Sequence, residues 1–252
     1  MLTKEDINYI NGLSYMAGEA IMKVYNSPFQ VKSKLDNSPI TIADKKSHEI
    51  IESGLKKRFP HIPILSEEGE NISYSERKKW ETFWLIDPLD GTKEFIKKNG
   101  EFTTNIALIN NRFPIHGSVY APFKNVLYWA CKGYGAWKIE AKNKEYQIKT
   151  NFKKDKIRIV VSRSHLNDKV LNFIKKYDRY ELIRMGSSLK ICCIAEGKAD
   201  IYPRLGPTSE WDIGAAQCIV EEAGGSIIGY ESDQRLSYNK ENILNPFFIV
   251  RY

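Results

Sequence analysis

Cysteine is scarce in this sequence, and long apolar runs are absent from it. Only four of the 252 residues are cysteines, and none has the Cys-x-x-Cys spacing of a metal or redox motif. We therefore expect four reduced cysteines, buried as small apolar side chains. No stretch approaches the roughly 18 consecutive apolar residues of a membrane span, and no apolar signal core follows the first residues. These absences predict a cytoplasmic protein without a transmembrane segment.

Several motifs of nucleotide and acyl chemistry are also missing. The sequence has no Gly-x-x-x-x-Gly-Lys loop, no Gly-x-Gly-x-x-Gly fingerprint and no Gly-x-Ser-x-Gly elbow. Its histidines are dispersed, without the His-Glu-x-x-His spacing of a zinc site. The sequence therefore contains none of the common motifs that would indicate triphosphate-driven transfer, acyl transfer or zinc catalysis.

Positive charge is in excess, with a formal net charge of +7 at pH 7. A polyanion-binding protein is one explanation for such an excess. The basic residues, however, occur in scattered pairs, mostly at predicted helix ends where they complement the helix dipole. The pattern favours a small anionic substrate over nucleic acid.

The composition is that of one large globular domain or two closely packed subdomains. Hydrophobic residues make up 42% of the chain and charged residues 27%, which is ordinary for a soluble fold with a real core. The polar, lysine-rich residues 150–156 form the best internal boundary. We predict a single domain, 1–252, with a catalytic subdomain of about 1–150 and a substrate-binding subdomain of about 155–252.

Hydrophobic periodicity predicts helices first, then antiparallel strands, then alternating strands and helices. A first helix follows the capping-box sequence at residues 3–6. Asp44 opens a second helix, where its simplest structural role is the N-cap. The polar residues 31–38 between them predict a loop. Alternation over residues 102–139 predicts antiparallel strands. Beyond residue 156 strands and helices alternate, and the last helix ends at Gly224.

An apolar run that ends in two acids is the centre of the predicted site. Residues 83–86 are all apolar or aromatic, which is typical of a strand buried on both faces. We expect this strand to end at Asp87, because Pro88 restricts the residue before it and cannot donate to a sheet. Asp87 and Asp90 would then lie where open α/β sheets bind ligands. The dipeptide beginning at Asp90 also suits a hairpin, but residues 93–98 resemble a helical turn, so a metal loop is favoured.

Three more acids follow apolar runs or strands, at Asp44, Glu67 and Asp212. Taken singly, they are explained as an N-cap, a solvated turn and part of a capping box. Together with Asp87 and Asp90 they form an all-oxygen set without nearby His or Cys, which Mg²⁺ prefers. Because clustered acids repel each other unless cations neutralise them, the sequence predicts a magnesium site suited to phosphoryl chemistry.

Beyond this reasoning, the chain shows a family resemblance that extends from about Thr41 to the C-terminus. Asp87-Pro88-Leu89-Asp90-Gly91-Thr92, then Trp211-Asp212 and Gly224-Gly225, resemble the lithium-sensitive inositol monophosphatase superfamily. Residues 91–96, 100–103 and 206–212 are similar to its bacterial CysQ branch, the 3′(2′),5′-bisphosphate nucleotidases. The resemblance implies an α/β, or layered α+β, fold of the sugar-phosphatase type, with the layers ordered αβαβα.

The same resemblance implies a role for each acid. The implied ligands of two or three Mg²⁺ ions are Glu67, Asp87, Asp90, Asp212 and the Leu89 carbonyl. Asp44 and Thr92 are implied to orient and deprotonate the attacking water, with Thr92 passing its hydroxyl proton toward Asp44. Water attacks phosphorus directly in this class, so no covalent phospho-enzyme is expected.

The substrate pocket is implied by motifs of the nucleotide-binding branch. Ser162-Arg163-Ser164-His165 and Gly186-Ser187-Ser188-Leu189-Lys190 match two such motifs. Lys190 and Arg204 are candidates for holding a second, non-reacting phosphate. For both residues a purely structural role is an equally good explanation. His165 would then be an ordinary loop histidine, and Lys190 a solvated lysine on a helix. The full predicted pocket is Glu67, Asp87, Pro88, Leu89, Asp90, Gly91, Thr92, Ser162, His165, Ser187, Lys190, Arg204 and Asp212.

These inferences lead to one predicted reaction with two alternatives. We predict Mg²⁺-dependent removal of the 3′-phosphate of adenosine 3′,5′-bisphosphate in sulfate assimilation, with 3′-phosphoadenylyl sulfate as a further substrate. An inositol or other sugar monophosphatase is the alternative enzyme, and a polyanion-binding protein is the alternative of another class. We expect a monomer or homodimer in the cytoplasm, with the cytoplasmic face of the inner membrane as the alternative location, and inhibition by millimolar Li⁺.

Overall fold

The computed structural model describes residues 2–33, 39–140, 144–152, 156–164 and 166–252. His165, most of the predicted loop 31–38 and part of the boundary 150–156 lie outside the described residues. Within the described ranges, no helix is both long and apolar enough to cross a membrane.

Two N-terminal helices pack side by side, and both begin at a capping box. Helix α1, Lys4–Tyr25, follows Thr3 as predicted. Helix α2, Ile42–Arg58, has Thr41 as its N-cap, so the prediction that Asp44 caps it is wrong. Asp44 lies one turn inside, where its Oδ2 accepts hydrogen bonds from the Thr41 amide and hydroxyl, both at 2.8 Å. This position satisfies the free amides at the helix start and leaves the second carboxylate oxygen available.

Part of the predicted loop between these helices is a strand. β1, Val31–Ser33, pairs antiparallel with β2, Pro39–Thr41. The sequence pattern did not predict β1, because three residues are too few to show an alternating pattern.

A seven-stranded sheet follows, in the order β3-β4-β5-β6-β7-β8-β9. Its first pair is parallel and the other pairs are antiparallel, as the alternating pattern predicted for the strands from residue 102 onward. Two short helices, α3 at Tyr74–Arg77 and α4 at Thr92–Ile96, flank β4. The strands are β3 Ile64–Ser66, β4 Thr82–Asp90, β5 Thr103–Asn110, β6 Phe113–Ala121, β7 Val126–Cys131, β8 Gly135–Glu140 and β9 Lys144–Ile148.

Strand β4 continues to Asp90, so the predicted end at Asp87 is wrong. Its pairing with β5 shifts register between Asp87 and Asp90, which absorbs the proline between them. Because Pro88 has no amide proton, a sheet accepts it only at such an irregularity. The two acids therefore lie on a bulged strand end, followed by α4 as the sequence predicted.

The rest of the chain builds a five-stranded sheet in the order β11-β10-β12-β14-β13. The predicted alternation is confirmed through the long helix α7, but the sequence analysis missed the two short strands that follow it. The elements are β10 Ile157–Ser162, α5 Asp168–Ile174, β11 Tyr180–Met185, α6 Leu189–Ala195, β12 Ile201–Arg204, α7 Glu210–Glu222, β13 Ser226–Gly229 and β14 Phe248–Arg251.

Helices and sheets alternate in five layers, which confirms the αβαβα prediction. One face of the seven-stranded sheet packs against α1 and α2 through residues such as Trp84 and Ile106. Its other face shares a core with α6, α7 and the five-stranded sheet, through Leu85 and Val160 among others. Helix α5 covers the far side of that second sheet. Since α6 and α7 lie between the sheets, their N-terminal ends bring residues of the second half to the end of β4.

Candidate active site

Three of the predicted metal ligands meet at the end of β4. Glu67 directly follows β3, and its amide donates to the Ile86 carbonyl at 3.1 Å, which sets it beside Asp87. Asp212 arrives from the first turn of α7, where its Oδ2 accepts from the Ser209 amide at 3.0 Å. One carboxylate oxygen from each of Glu67, Asp87 and Asp212 lies within 4.8 Å of the others.

Without a cation, these acids would repel each other if all of them were ionised. Burial, followed by the charges of Glu67, Asp90 and Asp212, raises the pKa of Asp87 well above its ordinary value. Burial, followed by the charges of Asp90 and Glu67, raises the pKa of Asp212 to about 8. A partly buried all-oxygen cluster of this kind fits a hard divalent cation such as Mg²⁺, which would relieve the repulsion.

The fourth predicted acid, Asp90, faces the other half of the molecule. Its Oδ2 accepts from the amide of Ser188 at 2.6 Å and lies 3.1 Å from the Ser188 hydroxyl. That hydroxyl also reaches the carbonyl oxygen of Asp212 at 2.7 Å. Sequence reasoning missed Ser188, although it stands inside the Gly186-Ser187-Ser188 motif already singled out. Ser188 joins two predicted ligands that are distant in sequence.

The residues between Asp87 and Thr92 form a compact loop. The amide of Leu89 donates to Asp87 Oδ1 at 3.0 Å. The Pro88 carbonyl accepts from the hydroxyls of Ser47 at 2.7 Å and Thr104 at 3.3 Å, so Pro88 shapes the loop from outside the cavity. Gly91 has φ of +90°, a conformation that favours glycine.

Thr92 and Asp44 are in contact, as the resemblance implied. The Thr92 hydroxyl lies 3.3 Å from both Asp44 Oδ1 and the Leu89 carbonyl oxygen. Asp44 is only 2% exposed, and burial raises its pKa even though Thr41 donates to it. Thr92 borders the cavity, whereas Asp44 lies behind it. The pair therefore connects the cavity surface to a buried carboxylate with raised proton affinity.

Most residues of the predicted pocket border one cavity of about 370 Å³. Of the predicted pocket, Pro88 does not line it and His165 is not described. Sequence reasoning missed Tyr202, which shares a strand face with Arg204 two residues on, so the strand period could have indicated it. The predicted residues that line the cavity are Glu67, Asp87, Leu89, Asp90, Gly91, Thr92, Ser162, Ser187, Lys190, Arg204 and Asp212.

Lys190 is buried in the wall of this cavity, so its interpretation as a solvated helix residue is wrong. The residue is 7% exposed, and its Nζ donates to the Ser187 carbonyl at 2.6 Å. Burial lowers the pKa of Lys190 to about 8, and the charge of Arg204 acts in the same direction. A buried ammonium held beside a second cation provides a strong site for an anion.

Arg204 and Thr208 each carry a polar atom that has no partner in the part of the chain that the structure describes. The Arg204 side chain donates to the Pro207 carbonyl, but its Nε and the Thr208 hydroxyl are buried with no hydrogen-bond partner among the described residues. Both residues line the cavity. Since buried polar groups are normally satisfied, these atoms are available to a bound ligand.

Comparisons of sequence and fold with known proteins identify the family. The family model of inositol monophosphatases matches residues 3–246. The 3′(2′),5′-bisphosphate nucleotidase CysQ of Escherichia coli K12 is 44% identical over 241 residues, covering 94% of this chain and 96% of that protein. The crystal structure of CysQ from Bacteroides thetaiotaomicron is 42% identical, with a TM-score of 0.85, covering 97% and 96% of the two chains. An inositol monophosphatase from Thermotoga maritima, 23% identical, has the same fold, with a TM-score of 0.81 and coverage of 98% and 92%. This chain therefore belongs to the inositol monophosphatase family.

Proposed function

We propose that this protein is a 3′(2′),5′-bisphosphate nucleotidase that hydrolyses the 3′-phosphate of adenosine 3′,5′-bisphosphate to AMP and phosphate. The observation that carries this proposal is a single cavity that is lined both by the acid cluster and by two cations, the buried Lys190 and the half-buried Arg204. The acids suit a metal-assisted reacting phosphate, and the cations suit a second phosphate that does not react. The curated relatives of this chain carry the same activity in their names.

Members of this family generally depend on Mg²⁺, and the acid cluster fits that ion. Glu67, Asp87 and Asp212 would hold it, with Asp90 and the Leu89 carbonyl as the further ligands of a site for two or three ions. Bound Mg²⁺ would neutralise phosphate oxygens and lower the pKa of the attacking water. Because burial and neighbouring charges raise the pKa values of Asp87 and Asp212, full ionisation of the cluster is unfavourable without the ion.

Thr92 and Asp44 would position the attacking water and take its proton. The Thr92 hydroxyl donates toward Asp44 Oδ1, so its lone pairs can accept a hydrogen bond from a water in the cavity that Thr92 lines. As the water loses its proton to Thr92 Oγ1, the hydroxyl proton moves to Asp44, whose raised pKa suits it as acceptor. Phosphorus is then attacked directly, without a covalent intermediate.

The nucleoside would occupy a neighbouring apolar cavity. This cavity, about 450 Å³ in volume, shares Tyr202 and Arg204 with the acidic one and is also lined by Leu166, Val170 and Leu205. Apolar walls with a few polar groups are typical of sites for nucleoside-sized ligands. An inositol monophosphatase, the alternative enzyme, needs neither this cavity nor a second phosphate site. A polyanion-binding protein leaves the acid cluster unexplained.

Phosphate release tests the proposal directly. With Mg²⁺ present, we expect strong preference for adenosine 3′,5′-bisphosphate over inositol 1-phosphate, with EDTA abolishing turnover and millimolar Li⁺ inhibiting it. Lys190→Met should raise KM for the bisphosphate about tenfold or more while changing KM for adenosine 3′-monophosphate little, because only the bisphosphate carries the second phosphate. Lys175→Met, at an exposed lysine after α5, is the matched control.

The other outcomes separate the alternatives. Preference for inositol 1-phosphate would keep the metal site but overturn the proposed substrate. No phosphate release from either substrate would contradict the proposal that the protein is a phosphatase. Cytoplasmic location, the division into two subdomains, hydrolysis of 3′-phosphoadenylyl sulfate and the oligomeric state, monomer or homodimer, stay predictions.

A further inference from the structure

Glu101 is a buried acid near the cavity that the proposed reaction does not use. It lies between α4 and β5, and it is 8% exposed. Its carboxylate accepts from Arg163 Nε at 2.7 Å, from Arg163 at a second guanidinium nitrogen at 2.8 Å, and from the Gly186 amide at 2.8 Å. Burial alone would raise the pKa of Glu101, but these donors outweigh it and hold the pKa below its ordinary value. Glu101 is therefore ionised, and both of its carboxylate oxygens accept hydrogen bonds.

The Gly186 amide begins the turn that carries the proposed phosphate site. At the far end of this turn the Ser188 amide donates to Asp90 at 2.6 Å, and the Ser188 hydroxyl accepts from the side-chain amide of Asn105 at 3.0 Å. Between the two ends, Ser187 has φ of +54°, a region that non-glycine residues avoid. Such a conformation persists only where surrounding contacts impose it.

Lys190 depends on this strained residue. Its Nζ donates to the carbonyl oxygen of Ser187, at 2.6 Å, so the direction of that carbonyl sets the position of the ammonium. The Ser187 side chain is held by Thr103, with 2.5 Å between the two hydroxyl oxygens. Glu101 supplies the restraint on the backbone at the Gly186 end of the turn.

The contact between Glu101 and the turn is close. A Cβ atom at Gly186 would lie 2.9 Å from the Glu101 carbonyl oxygen and 2.9 Å from Glu94 Cγ. No side chain fits between the two segments, so a shift of Glu101 would pass directly to the turn.

Arg163 fixes Glu101 from the side of the second sheet. It follows Ser162, at the end of β10, and also donates to the Arg184 carbonyl on β11 at 2.9 Å. Its two-pronged contact determines the orientation of the carboxylate, not only its charge. The pair thus joins the ends of β10 and β11 to the segment before β5.

We propose that Glu101 and Arg163 are a positioning pair that fixes the 186–188 turn, and through it Lys190, for the non-reacting phosphate of the substrate. This inference rests on the proposed function, and it assigns the pair a role in specificity without contact with the reacting atoms. The pair should affect the affinity for bisphosphates more than the chemical step, because Asp90 and Asn105 hold the Ser188 end independently.

Steady-state phosphate release by the Mg²⁺-loaded enzyme tests the pair. Glu101→Gln keeps the shape but replaces an acceptor of Arg163 with a donor. We expect KM for adenosine 3′,5′-bisphosphate to rise about tenfold, the equivalent of roughly 1.4 kcal/mol, with KM for adenosine 3′-monophosphate within about twofold of wild type. Arg163→Met should do the same, Arg163→Lys should do so less, and the double variant Glu101→Gln/Arg163→Met should resemble either single one.

A matched control exists in the same chain. Glu221 forms a two-pronged pair with Arg235, at 2.8 and 2.6 Å, near the opposite end of α7 from Asp212. The side-chain exposures of the two pairs are similar, 11% and 42% for Glu101 and Arg163 against 19% and 46% for Glu221 and Arg235. Glu221→Gln should leave both KM values unchanged.

Equal KM increases for both substrates, no increase for either, or the same effect from Glu221→Gln would overturn the positioning role. Wild-type protein inactive on the bisphosphate would instead refute the proposed function, so the two failures are distinguishable.

Discussion

The contact between Thr92 and Asp44 is the smallest unit on which the proposed chemistry depends. Asp44 uses one oxygen to stabilise the start of α2 and directs the other at Thr92. Since the first oxygen is fixed by two donors from Thr41, the second cannot turn away from Thr92. A structural cap and a proton acceptor are thus combined in one carboxylate.

Replacing the Thr92 hydroxyl should affect turnover more than binding. We expect Thr92→Val to lower kcat about hundredfold or more, because a general-base relay contributes on that order. Thr92→Ser keeps the hydroxyl and should retain activity within about tenfold of wild type. Steady-state kinetics would measure both, with thermal unfolding as the check on folding. A fully active Thr92→Val protein would contradict the proposed relay.

At the scale of elements, the placement of α7 decides whether Asp212 reaches the other acids. Helix α7 packs directly on β6, where Gly117 faces Ala215. A Cβ atom on Gly117 would lie 2.1 Å from the Ala215 carbonyl oxygen, a backbone atom that cannot rotate away. The glycine is therefore required for the close approach of helix and sheet, not for a turn.

Gly117→Ala should displace α7 and damage both stability and activity. We expect a loss of about 3 kcal/mol in the free energy of unfolding, as for other overpacked cores, and a lower kcat because Asp212 moves with the helix. Gly12→Ala in α1 is the control, since its Cβ would meet nothing within 4 Å; it should change stability by less than about 1 kcal/mol, in the stabilising direction. Urea unfolding and phosphate release would measure both variants, and a stable, active Gly117→Ala protein would disprove this account.

At the scale of the whole molecule, the acid cluster links metal, pH and stability. In the folded protein without metal, the pKa of Asp212 is about 8, compared with an ordinary value of 3.8. The pKa of Asp87 also lies well above 3.8. A carboxyl group whose pKa is higher in the folded state favours folding while it is protonated. Its contribution is lost as pH rises from the unfolded value through the folded one. The cluster therefore destabilises the metal-free protein progressively between these values.

Mg²⁺ should restore the stability that the metal-free protein loses as pH rises. In EDTA, the cluster should make Tm fall as pH rises from about 5 to about 8, and the increase in Tm on adding Mg²⁺ should grow over the same range. The reason is that Mg²⁺ must displace protons from the cluster at low pH. Differential scanning calorimetry would measure this, and Asp87→Asn should remove much of the pH-dependent gain. A Mg²⁺ effect on Tm that is independent of pH would contradict the linkage.

Features that depend on a few neighbouring residues could be predicted from the sequence. The cap of α1, the helical turn after Gly91 and the antiparallel strands around Asn110 follow from local hydrogen bonds and from alternating burial. The acids at Glu67 and Asp87 also belong here, since each follows or ends a short apolar run. The fold and much of the site follow from such patterns together with the family resemblance.

Other features depend on which surfaces meet, and no local window contains that information. Lys190 has the pattern of an exposed helix residue, yet α6 lies between two sheets and buries it. Strand β4 continues past Pro88 because β5 accommodates a register shift. Glu101 and Arg163 are 62 positions apart, and only the packing of both halves brings them together. Local hydrogen bonding and alternating burial are encoded within a few residues, whereas burial, register and long-range ion pairs are decided by the packing of the complete chain.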